Sequence, residues 1–222
     1  MMIIVRVYPK GDLKESWEKI VQNPTTISGE CCMPLYISRQ EKGDFMSIIY
    51  HIGEIDEFTD ILVRKIPLIT NPEMTRTVTL LGPRFFPAPK DRPRQLERYQ
   101  VSLRVASEEV ANVFDNTSRL KYPNDVFPTY GAYSFGENDI LFSMLSTGRE
   151  KIEAFVRDHI ASQQGVRAIE TTHIVISKRL APEEMWREYR RNRYQFKPYD
   201  GYEEYDFVQE ALLSGAFASE VT

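Results

Sequence analysis

The residues best suited to chemistry in this sequence sit at a turn and on a strand in its second half. Gly136, Glu137, Asn138 and Asp139 make a Gly-x-x-Asp step, and Thr171 and Thr172 follow on a β-branched stretch. A turn of this kind exposes backbone N–H groups, and an aspartate accepts from an ammonium group. Threonine hydroxyls both donate and accept, so the set matches a zwitterion such as an amino acid. Gly136, Asp139, Thr171 and Thr172 are therefore candidate effector-binding residues, and Asp44, Thr75 and Thr77 hold the corresponding places in the first half. The same residue types also make ordinary hairpin turns and strands.

Other reactive side chains are sparse. His51, His159 and His173 are the only histidines, and no H-x-x-x-H or H-E-x-x-H spacing joins them, so no metal or other cofactor is expected. His159 is i+4 from Phe155 and borders an apolar helix face. It reads as a partly buried, hydrogen-bonded histidine, with a haem ligand or general base as the other reading. No nucleophile-elbow, Walker or dinucleotide glycine pattern occurs, and no catalytic residue is assigned. Cys31 and Cys32 are adjacent and read as two small buried hydrophobes on a strand. Towards the end, Trp186, Arg187, Arg190 and Arg191 interleave aromatic and guanidinium groups. Such a helix contacts nucleic acid or a partner, or it buries its rings while the arginines pair with Glu203, Glu204 and Asp206.

These side chains need a scaffold, and the hydrophobic periodicity supplies one twice. A strand at 3–8 precedes a helix with Leu13, Trp17, Ile20 and Val21 on one face. Strands at 31–38 and 45–52, a helix at 54–66 and a strand at 75–81 follow. After Pro87, Pro89 and Pro93 the order repeats. It runs strand 99–105, helix 107–120 with Ser107 as N-cap, strands 129–135 and 140–145, helix 150–160, strand 169–177. Each pass is β-α-β-β-α-β, the ferredoxin-like order. Asp44 precedes Thr77 by 33 residues and Asp139 precedes Thr172 by 33, which is how a tandem duplication keeps step.

In the third strand of the second pass, Ile140, Phe142 and Met144 alternate with Leu141 and Leu145, so both faces are apolar. Helices cover only one face of such a unit, and a second sheet must cover the other. The expected fold is α+β: two tandem ferredoxin-like repeats packed sheet to sheet, with a C-terminal helical extension. The expected boundaries are 1–82, a proline-rich linker at 83–97, 98–180, and the extension at 181–222.

The chain has 222 residues, 42% hydrophobic, with 28 Lys+Arg against 32 Asp+Glu. That balance excludes a wholly disordered chain and a globally basic nucleic-acid binder. The first apolar stretch breaks at Arg6, too early for a signal-peptide core, and no run nears the roughly 20 apolar residues of a membrane span. A cytoplasmic protein without membrane contact is expected.

The stretch from Phe135 to Phe142, the Gly165-Val166 step and the run from Thr171 to Ile176 resemble the effector-binding (RAM) module of the leucine-responsive Lrp/AsnC regulators. That module has a G-x-x-D turn entering its third strand, then a G-V step and a threonine-containing final strand. The first copy matches less fully: Gly43-Asp44 lacks the whole turn, and Asn71-Pro72 replaces Gly-Val, while Thr75-Arg76-Thr77 fits the final strand. The resemblance implies a dimeric α+β barrel that binds small effectors, often amino acids, at subunit contacts. Full-length regulators begin with a helix-turn-helix, whereas here a strand begins at Ile3. The resemblance therefore implies no direct operator binding, and a helix-turn-helix regulator becomes a candidate partner.

The reading that follows is a non-catalytic, homo-oligomeric (dimeric) sensing module for a small-molecule effector. The alternative is an enzyme, since tandem ferredoxin-like chains also resemble haem-binding chlorite-dismutase-like proteins and cofactor-free monooxygenases. His159 and Tyr130 are then the candidate proton carriers.

Overall fold

Hydrophobic alternation becomes eight antiparallel strands, four from each half of the chain, in the computed structural model, which describes residues 1–86 and 88–184. The chain divides into two units. The first comprises Met1–Leu81 and resumes at Val175, and the second begins at Gly82 and continues through Ile174.

In the first unit, β1 (Met2–Pro9), β2 (Cys32–Gln40), β3 (Met46–Ile52) and β4 (Pro72–Phe85) lie in the order β4-β1-β3-β2. Helix α1 (Leu13–Gln22) begins where the Asp12 carboxylate accepts the Lys14 N–H at 2.8 Å. Helix α2 starts as Ile55–Asp60, widens into a π-helical stretch at Ile61–Lys65 and ends as Ile66–Thr70. Trp17, Ile20, Phe58, Ile61 and Ile66 from these helices pack on Ile3, Val5, Val7, Ile48 and Tyr50, which fixes the helix-covered face of the sheet. Tyr50 donates its hydroxyl proton to the Ile27 carbonyl at 3.2 Å.

The second unit repeats the plan. Strands β5 (Glu97–Val105), β6 (Val126–Phe135), β7 (Ile140–Ser146) and β8 (Val166–Arg179) lie in the order β8-β5-β7-β6. Helices are α3 (Val110–Ser118) and α4, which runs Arg149–Phe155 and then becomes π-helical at Val156–Ile160. Val113, Phe114, Ile152, Phe155 and Ile160 cover Tyr99, Val101, Leu103, Phe142 and Met144. The α-to-β junctions also correspond. Asn71, the C-cap of the first unit's second helix, has φ 41°, and Gly165, in the turn just before β8, has φ 86°, so each junction places a left-handed residue that asparagine or glycine tolerates ahead of the closing strand.

Three local expectations change. Ser107 is not an N-cap: it lies inside a 3-10 turn, Ser107–Glu109, and the chain enters that turn at Ala106 without a side-chain cap. Cys32 is buried at the start of β2, but Cys31 precedes the strand and is exposed. His159 is exposed, with its ring 4.9 Å from that of Phe155, because the π-helical turn carries it outward from the core residues Val156 and Ile160. Trp186, Arg187, Arg190 and Arg191 lie outside the described residues. Among the described residues, no helix is long and apolar enough to cross a membrane.

Candidate functional site

Each sheet has one face covered by helices, and the opposite face is where the two units differ. Strand residues alternate between faces, so Met2, Ile4 and Arg6 lie opposite Ile3, Val5 and Val7. The β-ladders place Ile4 beside Ile49 and Val78. In the second unit the equivalent ladders place Gln100 beside Ser143 and Thr172. The residue preceding this row on the first strand of each sheet, on the same face, is Met2 in one unit and Arg98 in the other. A framework that buries Met2, Ile4 and Val78 in one unit thus holds Arg98, Gln100, Ser143 and Thr172 in the next.

The polar row is built as a network. Arg98 Nη1 donates to Ser143 Oγ at 2.9 Å and to Thr129 Oγ1 at 3.3 Å. Thr129 Oγ1 lies 3.0 Å from Ser143 Oγ and 3.1 Å from the Ser143 carbonyl, and Gln100 Nε2 donates to Ser102 Oγ at 3.1 Å. Thr129, Ser143, Ser102 and Thr172 are buried. A β-bulge between Pro128 and Tyr130 pairs Tyr130 with Ser143, which brings the phenol to the same face. Burial pushes the Tyr130 hydroxyl up to about 12, with Arg98 pulling the other way. Tyr130 is therefore a neutral donor near pH 7, next to a permanent cation.

The expected effector residues do not converge on this row. Asp139 spends its carboxylate on the backbone, accepting the Val105 N–H at 2.8 Å, and its own N–H donates to the Leu103 carbonyl. Gly136, at φ 141°, turns the chain between β6 and β7. Thr171 pairs with Val101 and Thr172 with Gln100, so these neighbours point to opposite faces. Thr172 is in the polar row, but Asp139 reaches Val105, five residues along β5 from Gln100 and about 17 Å away. Asp44 is exposed before β3, and Thr75 and Thr77 pair with Val7 and Val5 on the helix-covered face. His173 is on the helix-covered face of its unit, its ring 5.0 Å from that of Tyr99. Among the described residues, no group of three His, Cys, Asp or Glu side chains is placed to hold a metal ion.

Sequence reasoning missed Arg98, Gln100, Thr129 and Ser143. Two signals point to them. Pro34-Leu35-Tyr36 and Pro128-Thr129-Tyr130 are the same Pro-x-Tyr step, and both lie at a β-bulge. Arg98, Gln100 and Ser102 also alternate as polar residues in a strand whose first-half counterpart begins Met2, Ile4.

No family model matches the chain, and no curated protein matches it. Among solved structures, the siroheme decarboxylase NirDL aligns with a TM-score of 0.57 at 10% identity, over 86% of this chain and 78% of that one. The same enzyme in complex with an iron-uroporphyrin III analogue aligns at 0.55 and 12% identity, over 96% and 79%. A mutant chlorite dismutase from Candidatus Nitrospira defluvii gives 0.44 at 8% identity, over 85% and 95%, a score that adds no argument. At these identities the likeness is one of fold: the chain is α+β, of the ferredoxin-like class found in dimeric α+β barrel proteins.

Proposed function

We propose that this chain is a non-catalytic binding module for a small acid, amino acids included, seated on the helix-free face of the second unit. The observation that carries the reading is the exchange of Met2, Ile4, Ile49 and Val78 for Arg98, Gln100, Ser143 and Thr172 on an otherwise equivalent framework. Burying polar groups in place of apolar ones costs stability unless something is gained. A guanidinium flanked by hydroxyls, an amide and a neutral phenol gains a ligand carboxylate, which arginine engages through two parallel N–H donors. Of the expected effector residues, Thr172 takes part, while Asp139 and Gly136 shape the turn. The short Lrp/AsnC motifs agree with a sensing role, since small effectors are what those regulators bind.

A thermal-shift panel of amino acids and small carboxylic acids tests this. A ligand at 100 times its dissociation constant adds about 2.7 kcal/mol to the native state, a shift of several degrees in the unfolding midpoint. A broad panel with no response from folded protein argues against the reading.

The enzyme alternative finds less support in the residues. His159 is exposed, with its ring tilted against that of Phe155, so it does not fit as an axial ligand on the Arg98 face. Tyr130 is held protonated, which suits hydrogen bonding better than proton abstraction. Titration with haem is the direct check: a Soret band that saturates at one equivalent and vanishes in a His159→Ala variant would restore the haem-binding version.

A further inference from the structure

The outer face of α2 in the first unit is apolar where its counterpart in the second unit is charged. Inward, Phe58, Ile61 and Ile66 of α2 match Ile152, Phe155 and Ile160 of α4, so the two helices bury equivalent positions. Outward, Ile55, Thr59 and Val63 recur every four residues, and the same places on α4 hold Arg149, Glu153 and Arg157. Ile55 is 54% exposed, Val63 63% and Leu68 87%, and α4 has Ser162 in the place of Leu68. Thr59 donates its hydroxyl proton to the Ile55 carbonyl at 2.8 Å, so its polar group is used within the helix.

A surface helix ordinarily turns charged residues to solvent, as α4 does. The framework therefore does not require Ile55, Val63 and Leu68, and apolar side chains held in water gain when another surface covers them. The charges beside the stripe indicate what kind of surface. Asp56 and Asp60 lie in the first half of the helix and Arg64 in the second, with Arg64 Nη1 3.3 Å from the Asp60 carboxylate. Asp56 and Arg64 are eight residues apart, about 12 Å along the axis, so they do not meet within one helix. Two copies related by a two-fold axis near Thr59 lie antiparallel. Ile55 of each then meets Val63 of the other copy, and Asp56 of each comes within a turn of Arg64 of the other copy. The face is complementary to itself.

We infer that the Ile55, Thr59 and Val63 stripe of α2 is a docking surface for a second copy of this chain, paired antiparallel about a two-fold axis. A single helix pair buries less than the roughly 1,000 Å² of a permanent complex, so the dimer is reversible, with a dissociation constant on the order of micromolar. The inference does not involve Arg98 and stands if no acid binds the second unit.

Sedimentation velocity of the full chain, at concentrations from well below to well above that range, tests it. A concentration-dependent shift from monomer to dimer is expected. Val63→Arg, which installs the residue type that α4 carries there, should weaken dimerisation about tenfold or more. The thermal midpoint of the dilute variant should stay that of the wild type, since the position is exposed. Asp56→Lys and Arg64→Glu each bring like charges together across the axis and should dimerise poorly alone. The Arg64–Asp60 pair within the helix is exposed, so its loss costs little. Mixed in equal amounts, the two variants should associate again, because each mixed pair sets a cation against a carboxylate on both sides of the axis. A wild-type chain that stays monomeric throughout, a dimer untouched by Val63→Arg, or single variants that do not regain association on mixing would each overturn the surface. A monomer whose midpoint falls in Val63→Arg overturns it too, and assigns the stripe to a segment of the same chain.

Discussion

At the scale of single residues, the account turns on groups whose charge state the fold decides. Arg98 is cationic at every relevant pH, and Tyr130 beside it is neutral because burial holds its proton. Tyr130→Phe should keep the fold and weaken binding of the acid by about tenfold, the worth of one hydrogen bond to a charged group, as read by calorimetry. The phenols also set a limit in alkali. Burial raises Tyr50, Tyr99 and Tyr122 as well, Tyr50 further through Cys32 and Tyr99 further through its hydrogen bond to Glu97. A raised folded value means the native state keeps protons that the unfolded chain releases above about pH 10. Stability is then fully present below that pH and falls as pH climbs towards the folded values. Urea unfolding at pH 8 and pH 11 should show the loss, and Tyr50→Phe should flatten the alkaline fall. An unchanged slope in that variant would show that Tyr50 is not a main contributor.

At the scale of elements, the βαββαβ order was legible because helical and strand periods alternate cleanly in both halves. The strand at 140–145 and the observed β7, Ile140–Ser146, differ by one residue. What was not legible was which side chains meet. Thr171 and Thr172 look like a pair in sequence, yet a period of two sends them to opposite faces. Arg98 and Thr129 are 31 residues apart and meet only through strand pairing and a bulge. Asp139 shows the same limit from the other side, since its carboxylate secures the β5–β7 corner. Asp139→Ala leaves the Val105 N–H without its acceptor and should cost about 1–3 kcal/mol in chemical denaturation, with ligand affinity nearly unchanged at temperatures where the protein is folded. Gly131 marks a tight approach of β6 to the core: a Cβ there would lie 2.4 Å from the Phe142 ring and 3.2 Å from that of Phe114. Gly131→Ala should therefore destabilise the chain by about 2 kcal/mol, and a neutral result would mean that these rings yield easily.

At the scale of the whole molecule, two units use one framework for different surfaces. Each has the strand order of its counterpart, a π-helical stretch in its second helix and a Pro-x-Tyr bulge in its second strand. The first unit does not keep the second unit's polar row. The framework is what similarity to known structures shows, and the polar row is where this chain's own function is to be sought. The central claim is that a small acid binds the second unit's helix-free face through Arg98 rather than at the Gly136–Asp139 turn. Isothermal titration of a panel hit against wild type, Arg98→Gln and Asp139→Ala separates the two directly. The account predicts that Arg98→Gln lowers affinity at least a hundredfold while Asp139→Ala stays within about threefold of wild type. Binding that survives Arg98→Gln and is lost in folded Asp139→Ala would contradict it and return the site to the turn.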